Sequence, residues 1–160
     1  MTTLVTGATG FIGAALVRQL LDQGDTVRVL SRSNNDRRNL EGLKAEIADG
    51  DLQDTDSLSK AVKDCQRLYH VAAHYSLWAP DPRLFYRINV EGTKNLMEIA
   101  QKAGVERIVY TSTVGALGIP ADGGPGNEET PVSFSEMVGD YKRSKYLAEQ
   151  LVVRMAREGL

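Results

Sequence analysis

The chain has one cysteine, Cys65, in 160 residues. A single thiol excludes an internal disulfide and a thiolate cluster for zinc or iron–sulfur. Cys65 falls near a helix end and reads as a small packing residue. Histidine is almost as scarce, with only His70 and His74, and no metal site is expected. Charge of one sign is lacking too: 19 basic and 21 acidic residues leave a net charge of −2. With no long basic run, nucleic acid is not an expected partner. No apolar run approaches the ~18 residues of a membrane helix, so no membrane span is expected. Met1 leads almost at once into a strand, without a basic n-region, and the expected location is cytoplasmic.

What the chain does have is glycine in one telling place. Gly7-Ala8-Thr9-Gly10-Phe11-Ile12-Gly13 separates Leu4-Val5-Thr6 from an apolar helical run. A strand, a glycine turn and a helix in this order suit a pyrophosphate. The glycines let the backbone turn tightly and approach a ligand, and the helix start offers unpaired N–H groups. The spacing is one residue wider than the common dinucleotide fingerprint, so context carries the reading. Three glycines in seven positions would weaken a helix start to no purpose without a ligand.

Strand and helix alternate along the chain. Strands are expected at Thr3–Thr6, Thr26–Leu30, Lys44–Ala48, Arg67–Ala72 and Arg107–Thr111. Helices are expected from Phe11 to about Gln23, from Asp54 or Thr55 through Asp64, over Leu84–Ala103, and over Tyr141–Glu158. In the first helix Ile12, Ala15, Leu16, Gln19 and Leu20 gather near one face. In the last, Leu147, Leu151 and Met155 form a stripe that must pack against something. Gly24 and Gly104 are placed to end helices. Gly115–Pro131, rich in glycine, proline and acid, reads as a long surface loop of the kind usually kept for function. The pattern implies an α/β fold with a doubly wound parallel sheet in the order 3-2-1-4-5, with ligands at the switch point between strands 1 and 4. A full dinucleotide fold has six strands and five are found here. Residues 1–160 are therefore expected to be a dinucleotide-binding domain, with the last strand or strands and a substrate domain outside them.

Further chemistry clusters at the strand ends. The second strand runs into Arg32, with Arg37 and Arg38 close behind. An acidic residue there would take the ribose 2′-hydroxyl of NAD; a guanidinium suits a 2′-phosphate, so NADP is expected, with NAD as the alternative. Asp51 is placed to meet the adenine edge or to serve a helix-capping turn. Tyr141 and Lys145 stand four apart at a helix start and so share a face. A cation beside a tyrosine lowers its pKa from about 10 and equips it for general acid–base work. Thr111-Ser112-Thr113 supplies hydroxyls where the fifth strand ends. His70 lies within the fourth strand and reads as a packed core residue, whereas His74 and Trp78 are candidates for substrate specificity.

Gly7-x-x-Gly10-x-x-Gly13, the hydroxyl after the fifth strand and Tyr141-x-x-x-Lys145 together resemble the extended short-chain dehydrogenase/reductase (NAD-dependent epimerase/dehydratase) family. Asp51-Leu52, Val71-Ala72-Ala73 and Asn89-Val90-Glu91-Gly92-Thr93 support the resemblance. Arg37–Leu43 and Tyr141–Lys145 are most similar to the dihydroflavonol-reductase-like and hopanoid-associated sugar epimerase-like branches. The resemblance implies a Rossmann-type fold. It implies that Tyr141 moves the substrate proton, that Lys145 binds the nicotinamide ribose and lowers the tyrosine pKa, and that Thr113, with Ser112 as the alternative, is the catalytic hydroxyl. Gly7, Thr9, Gly10, Phe11, Ile12, Gly13, Arg32, Asp51, Leu52, Val71, Ala72 and Ala73 are expected around the cofactor, and Asn89 in a helix or backbone positioning role. The expected activity is NADP(H)-dependent hydride transfer to or from a carbonyl or carbinol carbon. Two alternatives stand beside it: a nucleotide-sugar epimerase or dehydratase, and a non-catalytic NADP-binding redox sensor. The expected ligand is a carbonyl compound or a sugar nucleotide, and a homodimer through the two long helices is compatible with the pattern.

Overall fold

The computed structural model describes all 160 residues, Met1–Leu160. Five parallel strands form one sheet in the order β3-β2-β1-β4-β5, as the alternation implied. They are β1 Thr2–Thr6, β2 Thr26–Ser31, β3 Glu46–Asp49, β4 Arg67–His70 and β5 Arg107–Tyr110. The helices are α1 Phe11–Asp22, α2 Thr55–Val62, α3 Arg83–Tyr86, α4 Thr93–Lys102 and α5 Asp140–Arg157. No helix is long and apolar enough to cross a membrane.

Alternation along the strands splits the core into two layers. Val5, Val27 and Val29 face α1 and pack with Ala14, Val17 and Leu20. Leu4, Leu30 and Leu68 face the other way, against Leu58, Val62, Leu96 and Ala100 of α2 and α4. Cys65 belongs to this second layer, buried, and burial pushes its thiol pKa up, so it serves packing. Asp54 caps α2 by accepting from the Asp56 and Ser57 N–H groups, which settles the helix start. Gly24 and Gly104 follow their helices with positive φ, as the stop reading requires.

Three expectations need correction. The buried face of α1 is Gly13, Ala14, Val17 and Leu20, whereas Ile12 and Ala15 point outward. The glycine turn sets where the helix begins, and that phase swings Phe11 and Ile12 toward the ligand side. The small Gly13 and Ala14 then permit close approach to β1. The expected helix over Leu84–Ala103 is a compound run in which α3 passes through a π-helical segment, Arg87–Gly92, into α4. Asn89 and Gly92 are the buried residues of that segment. Gly92 lies against Leu52, whose Cβ would be 2.8 Å from any Cβ placed there. In α5 the most buried residues are Ser144, Lys145 and Ala148, and Leu147, Leu151 and Met155 are only half-buried. The helix packs chiefly through its N-terminal half, where it meets the α3–α4 run.

Candidate active site and cofactor cleft

A cleft of about 780 Å³ opens at the carboxyl ends of the strands, and the sheet's switch point between β1 and β4 forms its floor. The glycine turn is one wall. Gly7 adopts φ +72°, a conformation side-chain-bearing residues rarely take. A Cβ on Gly7 would come within 2.6 Å of the Ala72 nitrogen, and one on Gly13 within 2.2 Å of the Gly7 carbonyl oxygen. These two glycines let β1, the tip of β4 and α1 close on one another. Gly10 begins α1 without any side-chain cap, so the first N–H groups of the helix face the cleft. A bare, positively polarised helix end beside a turn that leaves no room for side chains fits a diphosphate. Thr9, Phe11 and Ile12 line the same wall, with Phe11 90% exposed.

At the end of β2 the three arginines separate. Arg37 donates to Ser31 Oγ and to the Asp49 carboxylate, and Arg38 is paired with Asp36. Arg32 lines the cleft, and its Nε donates to Asn35 Oδ1 at 3.2 Å. Of the basic cluster, Arg32 is thus the guanidinium in contact with the cleft. Asn39, from the same loop, donates to the Thr9 carbonyl at 2.8 Å and ties the loop to the glycine turn. Asp51 and Leu52 line the cleft beyond β3. One Asp51 carboxylate oxygen accepts from the Gln53 N–H at 2.9 Å in a local turn, while Asp54 does the helix capping.

Val71, Ala72 and Ala73 line the floor. His70 fixes this stretch from below. Its Nδ1 is 2.7 Å from Thr6 Oγ1, and its Nε2 is 2.9 Å from Thr93 Oγ1. Thr6 Oγ1 in turn accepts from the Ala72 N–H at 3.3 Å. Burial, helped by the Lys145 charge, pushes the His70 pKa down to about 3, so the ring is neutral and structural, in keeping with a core residue. Asn89 secures the next residues: its Oδ1 accepts from the His74 N–H at 2.7 Å, and its Nδ2 donates to Ser144 Oγ at 3.0 Å. That side chain ties the loop after β4 to α5, a role only the family resemblance had suggested. His74 and Tyr75 line the cleft, with the His74 ring against Phe85. Trp78 lies outside the cleft lining and is 73% exposed.

The opposite wall holds Thr113, Tyr141 and Lys145, with Ser112 beside them. Ser112 Oγ donates to the Glu149 carboxylate, which leaves Thr113 as the better placed hydroxyl. Thr113 Oγ1 accepts from the Gly115 N–H at 3.2 Å, and its hydroxyl is directed at the Tyr141 phenol. Lys145 is buried, with Nζ donating to the Tyr110 hydroxyl at 2.8 Å and to the Thr111 carbonyl at 2.7 Å. An ammonium has three protons, so one remains for a ligand. Desolvation lowers the Lys145 pKa to about 8, against the pull of Glu149. The expected depression of the Tyr141 pKa does not occur in this geometry. Partial burial raises it, Thr113 opposes the rise, and Tyr75, edge-on at 5.0 Å between ring centroids, adds to it. The Lys145 ammonium is turned toward β5, where it donates to Tyr110 and Thr111, and Tyr141 receives no hydrogen bond from it. No sequence signal marks Tyr110 or Glu149, because neither lies in a recognised motif and both act on a neighbouring residue.

Comparison with known proteins agrees with this geometry. The family model described as "NAD dependent epimerase/dehydratase family" matches residues 3–160. The chain is 49% identical over 155 residues to a putative dihydroflavonol 4-reductase of Synechocystis sp., covering 97% of this chain and 45% of that protein. It is 46% identical over 160 residues to sterol demethylase protein B of Methylococcus capsulatus, covering all of this chain and 48% of that one. Among solved structures, the UDP-glucose 4-epimerase of Thermus thermophilus in complex with NAD superposes with a TM-score of 0.86 at 29% identity, covering 99% of this chain and 51% of that one. The chain therefore spans about half the length of the curated relatives it matches. On the family match and these identities, the chain belongs to the NAD dependent epimerase/dehydratase family, the extended short-chain dehydrogenases/reductases.

Proposed function

We propose that residues 1–160 form the dinucleotide-binding domain of an NADP(H)-dependent oxidoreductase that interconverts a carbonyl and a carbinol. The observation that carries this reading is the meeting of the glycine turn, Arg32, Thr113, Tyr141 and Lys145 in one cleft. The turn and the bare start of α1 would hold the diphosphate, Arg32 a 2′-phosphate, and the spare Lys145 proton a ribose hydroxyl. A nicotinamide bound there would supply or accept the hydride. Thr113, beside the Tyr141 phenol, donates its hydroxyl proton to the substrate oxygen and orients it. Tyr141 gives its phenolic proton to that oxygen as negative charge develops, and takes it back in the oxidative direction. A positioned acid of this kind is worth about 10²–10⁴-fold in rate, and a donor aimed at developing charge about 3 kcal/mol.

The partly raised phenol pKa suits the reductive direction, in which Tyr141 must begin protonated. The relative named a dihydroflavonol 4-reductase favours the same chemistry. The likeness to a UDP-glucose 4-epimerase supports a second reading, in which the same residues act on a sugar nucleotide and the cofactor is regenerated in place. Titration of the full-length protein with NADPH and NADH, followed by a panel of carbonyl substrates, decides between them. A reductase consumes NADPH in proportion to product, and an epimerase consumes none. Failure to bind either nucleotide overturns both readings.

A further inference from the structure

We propose that Tyr110 and Glu149 are positioning residues for Lys145, Tyr110 seating the ammonium at the end of β5 and Glu149 flanking it one turn along α5, anchored by Ser112. The inference rests on the reading of Lys145 as the group that meets the cofactor. Neither residue lines the cleft, so each would act through the lysine.

The geometry at Tyr110 is specific. Lys145 Nζ lies 2.8 Å from the Tyr110 hydroxyl and 4.3 Å from the centroid of its ring. One residue thus offers the ammonium both a lone pair and a π face. The Thr111 carbonyl, 2.7 Å away, completes a seat at the carboxyl end of β5. With two of its N–H directions fixed, the ammonium aims the third. The Tyr110 ring is itself held 5.6 Å from that of His70.

A lysine only 3% exposed is costly to charge. The groups bearing on Lys145 are His70 from β4, Tyr110 from β5, and Tyr141 and Glu149 from α5. His70 is neutral, and burial pushes the Tyr110 phenol well above its usual range, with Glu149 adding to the push. Tyr141 is also neutral near pH 7, since its phenol pKa is raised. Glu149 is therefore the one anion of the set. It stands one turn along α5 from Lys145, on the same face. The hydrogen bond from Ser112 Oγ holds its carboxylate in place. Ser112 gains a purpose here that does not require contact with substrate.

The test uses full-length protein with Glu149→Gln and Tyr110→Phe, the first keeping an acceptor for Ser112 and the second keeping the ring. The lysine side chains are carbon-labelled, and the Lys145 signal, assigned by its loss in Lys145→Met, is titrated by NMR. In parallel, NADPH affinity is measured from pH 6 to 9. Glu149→Gln is expected to lower the Lys145 midpoint by about one pH unit. Its NADPH affinity should match wild type at pH 6 and fall off earlier on the alkaline side. Tyr110→Phe is expected to weaken NADPH several-fold even at pH 6, because the ammonium loses its seat while still charged. An unmoved midpoint in Glu149→Gln overturns the charge half, and unchanged affinity in Tyr110→Phe at pH 6 overturns the seating half. If wild type and Lys145→Met bind NADPH equally, the cofactor reading fails while a shifted midpoint still supports Glu149. Should Tyr110→Phe not fold, the wild-type Tyr110 ring carbons are followed by NMR across the Lys145 midpoint: a shift there supports the seat, and ring signals unmoved by the lysine titration overturn it.

Discussion

At the glycine end of the cleft the backbone does the holding, while at the Tyr141 end the side chains do. Gly7, Gly10 and Gly13 contribute no atoms beyond the main chain, and the absence of a Cβ is what brings β1, β4 and α1 together there. Thr113, Tyr141 and Lys145 stand just after β5 and on α5, and depend on half-buried partners: Gly115, Tyr110, Thr111 and Glu149. On the proposed function, the first region recognises what dinucleotides share, and its constraint is steric. On the same proposal, the second sets proton affinities, and its constraint is electrostatic. Substitutions should separate the two: enlargements damage the glycine end, and isosteric losses of one polar atom damage the tyrosine end.

The largest expected effect is at the tyrosine end. Tyr141→Phe removes one oxygen and keeps the ring against Tyr75. Turnover should fall about 10²–10⁴-fold while the NADPH dissociation constant, measured by fluorescence titration, stays within about twofold. A parallel loss of binding would erase the contrast between the regions.

Lys145→Met should sharpen it by a change of opposite sign. Burial lowers the lysine pKa from its ordinary 10.5 to about 8. At 1.36 kcal/mol per unit, holding that charge costs the fold up to roughly 3 kcal/mol below pH 8. Between about pH 8 and 10.5 the unfolded chain binds the proton and the native one does not. Wild-type stability should therefore rise with pH from about 8 toward 10. Lys145→Met should be more stable at pH 7 and lack that rise, as urea titrations at several pH values would reveal, with NADPH binding lost.

At the glycine end, Gly13→Ala places a carbon 2.2 Å from the Gly7 carbonyl oxygen, and backbone must move to admit it. Stability should drop by about 1–3 kcal/mol, read by thermal melting, with NADPH and NADH binding weakened together. The smallest effect expected is that of Arg32→Ala: NADPH affinity falls about tenfold, the value of a charge-assisted contact, and NADH affinity hardly changes. Equal losses for the two nucleotides would show that Arg32 does not read a 2′-phosphate.

The glycine end is the more legible of the two in the sequence, because steric demands select residue types. Gly7-x-x-Gly10-x-x-Gly13 announces both the turn and the helix start, and the strand order follows from the βα alternation. The tyrosine end is legible only in its contact residues. That Lys145 turns to Tyr110 instead of Tyr141 depends on how α5 lies against β5, a tertiary fact with no local signature. The arginines are legible in part: Arg32 is singled out by its place at the strand end, but that Asp49 and Asp36 claim Arg37 and Arg38 is seen only in the fold. Periodicity misplaces the phase of α1 because it reports an apolar face without saying which wall that face meets. Phe11 and Ile12 are apolar for the cleft, not for the core.

The π-helical segment at Arg87–Gly92 has a bearing on how such a cleft can diversify. By bringing Asn89 to both the His74 backbone and Ser144, it moors the segment that leaves β4 to the helix carrying Tyr141. Residues past that mooring and past the Tyr75–Tyr141 ring contact, from Ser76 to Trp78, touch neither Asn89 nor the phenol. On the proposed reading, the stretch at the mouth and the helix that carries the phenol are held by separate contacts.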